Sequence, residues 1–171
     1  RGVVCLEPAK DLAQALAYFE QAAVLHRKRW GDGIGESGFA NPYFVEFHRQ
    51  LLRRECNHSV QWFRLIAAHK VLGYFCYFIY RRRVYFYLSA LESVDENKIK
   101  PGLLGHSLAI DYFLQRGDVD CYDFMGGDAR YKASLGNKDI GLVRMRLQKP
   151  RLKFKFMHLL RRLKNAPKNG G

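Results

Sequence analysis

The chain has 171 residues, 48% of them hydrophobic and 14% aromatic. This is the size of one domain with a self-sufficient core; it excludes a disordered chain and a stapled miniprotein, and no window approaches the ~18 unbroken apolar residues of a membrane span. The net charge of +13 is concentrated: eight Lys or Arg and no acid lie from Lys149 onward, so residues 1–148 carry only +5.

Val3 to Leu6 reads as a short strand. Asp11 then precedes a helical run to Trp30 in which Leu12, Leu16, Phe19, Ala23 and Arg27 share one stripe. GDGIGESG (31–38) is a glycine-rich loop, and Asn41-Pro42, an N-cap followed by Pro at the first helical position, opens a second helix through Cys56. From Ser59 the period becomes extended. VQWFRLIAA, a turn at His69-Lys70, VLGYFCYFIY, a turn at Arg81–Arg83 and VYFYLSALE make an antiparallel meander. Its middle strand is apolar on both faces, which predicts a central strand covered on each side. Pro101 opens a third helix that Gly117 closes. DVDCYDFM is a further strand, DARYKAS a short helix or turn, and IGLVRMRLQ (140–148) a last strand alternating Val143, Met145 and Leu147 with Arg144 and Arg146. The order β-α-α-β-β-β-α-β-α-β predicts an α+β domain over residues 1–148, a mixed, mostly antiparallel sheet flanked by helices, with a basic tail at 149–171.

The cysteines, Cys5, Cys56, Cys76 and Cys121, show no CxxC pairing and predict free thiols, no metal site and a reducing compartment. The start at Arg1, without an apolar leader, predicts a piece of a longer protein. His26 and His48 read as packing or surface residues of the first two helices, and His69 as a turn residue.

Several stretches, LHRKRWG (25–31), FHRQL (47–51), the meander, KPGLLGHSLAIDYFLQRG (100–117) and YDFMGGDARYKASLG (122–136), resemble the GNAT acyltransferase fold. The resemblance is nearer to the branch described as cellulose-biosynthesis acetyltransferases, related to Fem-type aminoacyl transferases. It implies that the fourth strand and the strand after the main helix splay apart around the pantetheine arm of acetyl-CoA or another acyl-CoA, with the pyrophosphate on the amides that open the main helix. Here those residues are Gly102, Leu103, Leu104, Gly105 and His106, with Lys98 and Lys100 adding positive charge. The run Gly102-Leu-Leu-Gly105 departs from the usual Arg/Gln-x-x-Gly-x-Gly/Ala loop, and some relatives use an aminoacyl-tRNA donor instead.

The same resemblance implies Glu92 as carboxylate base, Tyr131 as acid for the leaving group and Lys132 as a stabiliser of negative charge, with Asp123 holding the turn before Gly126-Gly127. It predicts transfer of an acyl group to a hydroxyl or amine of a small-molecule or saccharide acceptor, in cell-envelope or exopolysaccharide biosynthesis. The alternative is a catalytically silent GNAT-like interaction module in a membrane-associated complex. Partners expected are the acceptor, a second GNAT-like half upstream, and an anionic membrane surface met by the tail, where Leu152, Phe156, Leu159, Leu160 and Leu163 share a helical face. This places the protein in the cytoplasm, at or near the inner membrane face. Nucleic acid is disfavoured, because the aromatics from Tyr74 to Tyr87 sit within strands.

Overall fold

The computed structural model describes residues 3–33, 35–93, 100–145 and 147. The chain forms two compact units, Arg1–Lys138 and Asp139–Gly171. In the first, the elements in order are β1 (Val4–Pro8), α1 (Leu12–Trp30), a 3-10 turn (Gly38–Ala40), α2 (Pro42–Glu55), β2 (Val60–Ala67), β3 (Lys70–Tyr80), β4 (Arg83–Leu91), α3 (Pro101–Arg116), β5 (Cys121–Asp123) and α4 (Arg130–Leu135).

The strands form one sheet in the order β1-β2-β3-β4-β5. The first four are antiparallel neighbours, and β5 joins β4 in parallel, so the sheet is mixed. Both meander turns are two-residue loops with left-handed backbone at each centre: Ala68 and His69 (φ 48 and 66°), then Arg81 and Arg82 (φ 48 and 59°). Only such primed turns match the twist of the strands they join, so the first turn falls one residue earlier than His69-Lys70.

The helix limits follow their caps. Asp11 accepts from the Gln14 amide at 2.8 Å, Asn41 accepts from the Tyr43 amide at 2.9 Å ahead of Pro42, and Gly117 ends α3 in the left-handed conformation. The buried face of α1 differs from the expected stripe. Ala15, Tyr18, Phe19, Ala22 and Ala23 are buried, whereas Leu12 is exposed. The alanines let the helix axis approach the sheet, and that approach, not the bulk of the leucines, sets the face.

β3 divides the core in two, as its two-faced apolar sequence predicts. Tyr74 and Cys76 pack with α1, α2 and Trp62; Leu72, Phe75 and Tyr77 pack with Phe63, Leu65 and, from α3, Ala109 and Phe113. The strand expected over 140–148 does not form in its described part, since residues 140–145 carry no regular structure. Arg146 and Gln148 lie outside the described residues, as does the whole basic tail with the helical face expected there.

Candidate active site

The pairing of β4 with β5 covers only Arg83–Tyr85 against Cys121–Asp123, while β4 runs on to Leu91. Asp123 turns β5 away. Its Oδ1 accepts from the Met125 amide at 2.7 Å and its Oδ2 meets Arg83 Nη1 at 3.1 Å, so it holds the turn as expected. The left-handed positions in this turn are Met125 (φ 58°) and Gly127 (φ 105°). Where the strands part, β4 bulges. Cys76 faces Leu88 but Tyr77 faces Phe86, which leaves Tyr87 as the extra residue. A bulge puts two successive side chains on one face. Val84 and Phe86 accordingly pack on the α3 side, whereas Tyr87, Leu88 and Ala90 pack on the α1–α2 side.

The start of α3 stands beside the end of β4, with Gly102 close to the Leu91 side chain. Side chains cap α1 and α2, but α3 has none: Lys100 is its N-cap residue, makes no capping hydrogen bond, and no acid lies in the first turn. The Leu104 amide bonds to the Lys100 carbonyl at 3.1 Å. Pro101 has no N–H, so the amides of Gly102 and Leu103 are the donors of this helix end left without a partner among the described residues. Gly105 and His106 are buried in the opposite sense, toward the sheet. A Cβ at Gly105 would stand 2.1 Å from Phe75 Cζ, so this glycine sets how closely α3 lies on β3. Lys98 lies outside the described residues.

His106 is the hub of a buried polar cluster. Its Nδ1 lies 2.8 Å from the Tyr122 hydroxyl, which donates to the Tyr77 hydroxyl at 3.1 Å. Tyr131 stacks on its ring at 4.8 Å and 12°, while Phe86 and Phe124 meet it edge-on. Burial raises the Tyr122 and Tyr131 phenols, so both stay protonated at neutral pH. Burial, and then the Lys132 ammonium, push the His106 imidazole down from 6.5 to about 4. Between those values the unfolded chain binds a proton that the folded chain refuses. Stability is therefore full above pH 6.5 and falls as the pH drops toward 4, by about 3 kcal/mol from this residue. Thermal melts from pH 7 to 4 are expected to show that loss in the parent protein and less of it in His106→Gln. Equal slopes in the two would show that His106 titrates normally.

Lys132 itself points back into the turn, donating to the carbonyls of Gly126 at 2.6 Å and Met125 at 3.2 Å. Thus Tyr131, Lys132 and His106 meet in one cluster at the parting of β4 and β5. Glu92 belongs to another contact: at the end of β4 its carboxylate meets Lys28 Nζ of α1 at 2.6 Å.

On the opposite face of β4, His48 is buried within van der Waals reach of the aromatic side chains of α1 and α2, and its Nε2 meets the Tyr87 hydroxyl at 3.0 Å. Sequence reasoning gave His48 a packing or surface role and singled out none of Tyr87, Tyr77 and Tyr122. Aromatic residues in strands read as core, and nothing in the residue pattern marks the bulge that aims Tyr87 at α2.

Residues 1–133 match the family model described as "Acetyltransferase (GNAT) domain". No curated protein matches the sequence. Among solved structures, the chain resembles an aminoglycoside acetyltransferase from an uncultured soil metagenomic sample, with a TM-score of 0.57 at 12% identity, covering 86% of this chain and 99% of that one. It also resembles a second soil aminoglycoside acetyltransferase, solved in complex with sisomicin, with a TM-score of 0.51 at 14% identity, covering 86% of this chain and 97% of that one. At such identities the likeness shows the fold.

Proposed function

Because the chain belongs to the GNAT acetyltransferase domain family, we propose that it moves an acetyl or similar acyl group from acyl-CoA to an amine or hydroxyl of a small-molecule or saccharide acceptor. The observation that carries this reading is the parting of β4 from β5 after Tyr85 together with a helix start, beside the Leu91 end of β4, that has no side-chain cap.

A helix N-terminus carries partial positive charge, and a lysine at its cap is unfavourable unless an anion stands there. Lys100 and the unpaired amides of Gly102 and Leu103 therefore fit a polyanion such as the coenzyme A pyrophosphate. The donor supplies an acyl group activated as a thioester. The chain's own residues do the rest. Lys100, Gly102 and Leu103 bind phosphate, and Leu104 lines the gap's entrance. Gly105 and His106 serve from behind, keeping α3 tight on the sheet and Tyr131 in place. Tyr131 holds the proton that the leaving sulfur needs. Lys132 braces the turn that carries Tyr131, and Glu92 braces the end of α1 against β4. The setting in envelope or exopolysaccharide synthesis rests on the resemblance of residues 100–117 and 122–136 to that branch of the family.

Thermal-shift and calorimetric titration with acetyl-CoA test this. Saturable stabilisation is expected, about 2.7 kcal/mol at a hundredfold excess over Kd, and Lys100→Glu is expected to weaken it about tenfold. Absence of any shift at millimolar acetyl-CoA would refute the donor assignment.

A further inference from the structure

We propose that Tyr87, backed by His48, takes the proton of the incoming nucleophile on the α1–α2 face of β4. This rests on the acyl-transfer reading above, and it adds an acceptor-side proton relay to the donor-side residues already placed.

The hydrogen bonds fix the direction of the relay. His48 Nδ1 lies 2.7 Å from the Phe44 carbonyl oxygen, which can only accept, so Nδ1 carries the ring proton. In the neutral ring Nε2 is then a lone pair. At 3.0 Å from it, the Tyr87 hydroxyl must donate. A carbonyl, an imidazole and a phenol thus stand in series, the order in which a phenol oxygen gains basicity as its proton moves inward.

The position matters as much as the bonds. Tyr87 is the residue extruded by the bulge, two beyond the last β4 residue paired with β5, so it stands where the gap opens. His48 is 3% exposed, stacked against Phe19 at 5.9 Å and 16° and against Tyr87 at 5.4 Å and 24°, with Phe47 edge-on. Among the described residues the groups facing it are Phe19 of α1, Phe44 and Phe47 of α2 and Tyr87 of β4, of which Tyr87 titrates; Tyr87 in turn lies near the buried Cys76 thiol of β3. Burial lowers the His48 imidazole and raises the Tyr87 phenol, so the resting pair is neutral His48 and protonated Tyr87. His48 is a buried residue with both nitrogens engaged, one of them by the bulged residue, which is the arrangement a proton relay requires.

The step balances without a further reactant. The nucleophile's nitrogen or oxygen bonds to the thioester carbonyl carbon, and its proton passes to Tyr87 Oη as Tyr87's own proton moves to His48 Nε2. The C–S bond breaks, its electron pair leaves on sulfur, and that sulfur takes a proton from Tyr131. Burial drives the extra proton off His48 again, through Tyr87 to solvent, and Tyr131 is reprotonated from solvent.

Water is the simplest acceptor, so turnover is read as acetyl-CoA hydrolysis, followed by mass spectrometry from pH 5 to 9. Tyr87→Phe is expected to lower it about a hundredfold while the acetyl-CoA thermal shift stays within twofold. The parent rate should fall as the pH drops through the lowered His48 pKa, and His48→Gln should lack that limb. Long-range ¹H–¹⁵N spectra should show His48 as the Nδ1–H tautomer, its Nε2 resonance moving in Tyr87→Phe. An Nε2–H tautomer, a Tyr87→Phe rate within threefold of the parent, or a parent rate no faster than hydrolysis in buffer overturns the relay. Should His48→Gln fail to fold, Tyr87→Phe and the tautomer decide alone. Failure to bind acetyl-CoA refutes the acyl-transfer reading instead, and the tautomer is read without any donor.

Discussion

Gly105→Ala is expected to destabilise the protein by about 1–3 kcal/mol, and Gly105→Val by more. In an exposed helix interior the same glycine-to-alanine change gains about 1 kcal/mol from helix propensity, so the sign of the result is diagnostic. The clash decides it. An added Cβ would lie 2.1, 2.6 and 2.8 Å from Cζ, Cε2 and Cε1 of Phe75, whose side chain is fully buried. The Phe75 ring has Tyr77 stacked at 6.4 Å, Phe86 at 6.5 Å and His106 edge-on at 5.9 Å, so its movement is resisted by three neighbouring rings. The helix must lift instead, and its free amides lift with it. Weaker acetyl-CoA binding should therefore accompany the lost stability. Phe75→Leu should relieve part of the cost of Gly105→Ala in a double-mutant cycle, with a coupling of about 1 kcal/mol or more. Urea denaturation of the four proteins measures it. An alanine variant as stable as the parent would mean that α3 does not rest on Phe75.

Much of this architecture was legible in the sequence because it is encoded locally. Asp11, Asn41 and Gly117 mark helix ends by the backbone groups they can satisfy, Pro42 and Pro101 by the donor they lack, and the helices begin and end there. The two-faced apolar run of β3 announced a central strand, and the sheet builds a core on each side of it. What escaped depends on partners. From Val84 to Leu91 every residue but Ser89 is apolar or aromatic, so the bulge at Tyr87 reverses which residues face α3 with little mark in hydropathy. His48 sits on a helix pattern like any surface histidine, and only its approach to β4 gives it Tyr87. Residues 143–147 alternate as a strand would, yet alternation describes one chain and a ladder needs two. Lys132, a charge-stabilising residue by family resemblance, has its ammonium on two carbonyls of its own turn.

That geometry ranks Tyr131 above its neighbour, and Tyr131→Phe is expected to lower kcat about a hundredfold or more with little change in stability. Phenylalanine keeps the ring that stacks on His106 at 4.8 Å and meets Phe124 edge-on at 5.9 Å, so the melting temperature should move by no more than about 2 °C. Only the hydroxyl is lost. Burial raises that phenol, so it is protonated throughout the neutral range and holds its proton ready for the sulfur as the C–S bond breaks. An interaction made only as sulfur departs lowers kcat and kcat/KM together and leaves KM for the donor alone. Lys132→Met supplies the contrast. It removes the bonds to Met125 and Gly126, costs about 1 kcal/mol because the site is partly exposed, and lets the His106 imidazole rise. Its effect on turnover should stay within tenfold. If Lys132→Met instead matches or exceeds Tyr131→Phe in lost kcat while the fold stays intact, the lysine acts on the reacting atoms and the tyrosine is packing.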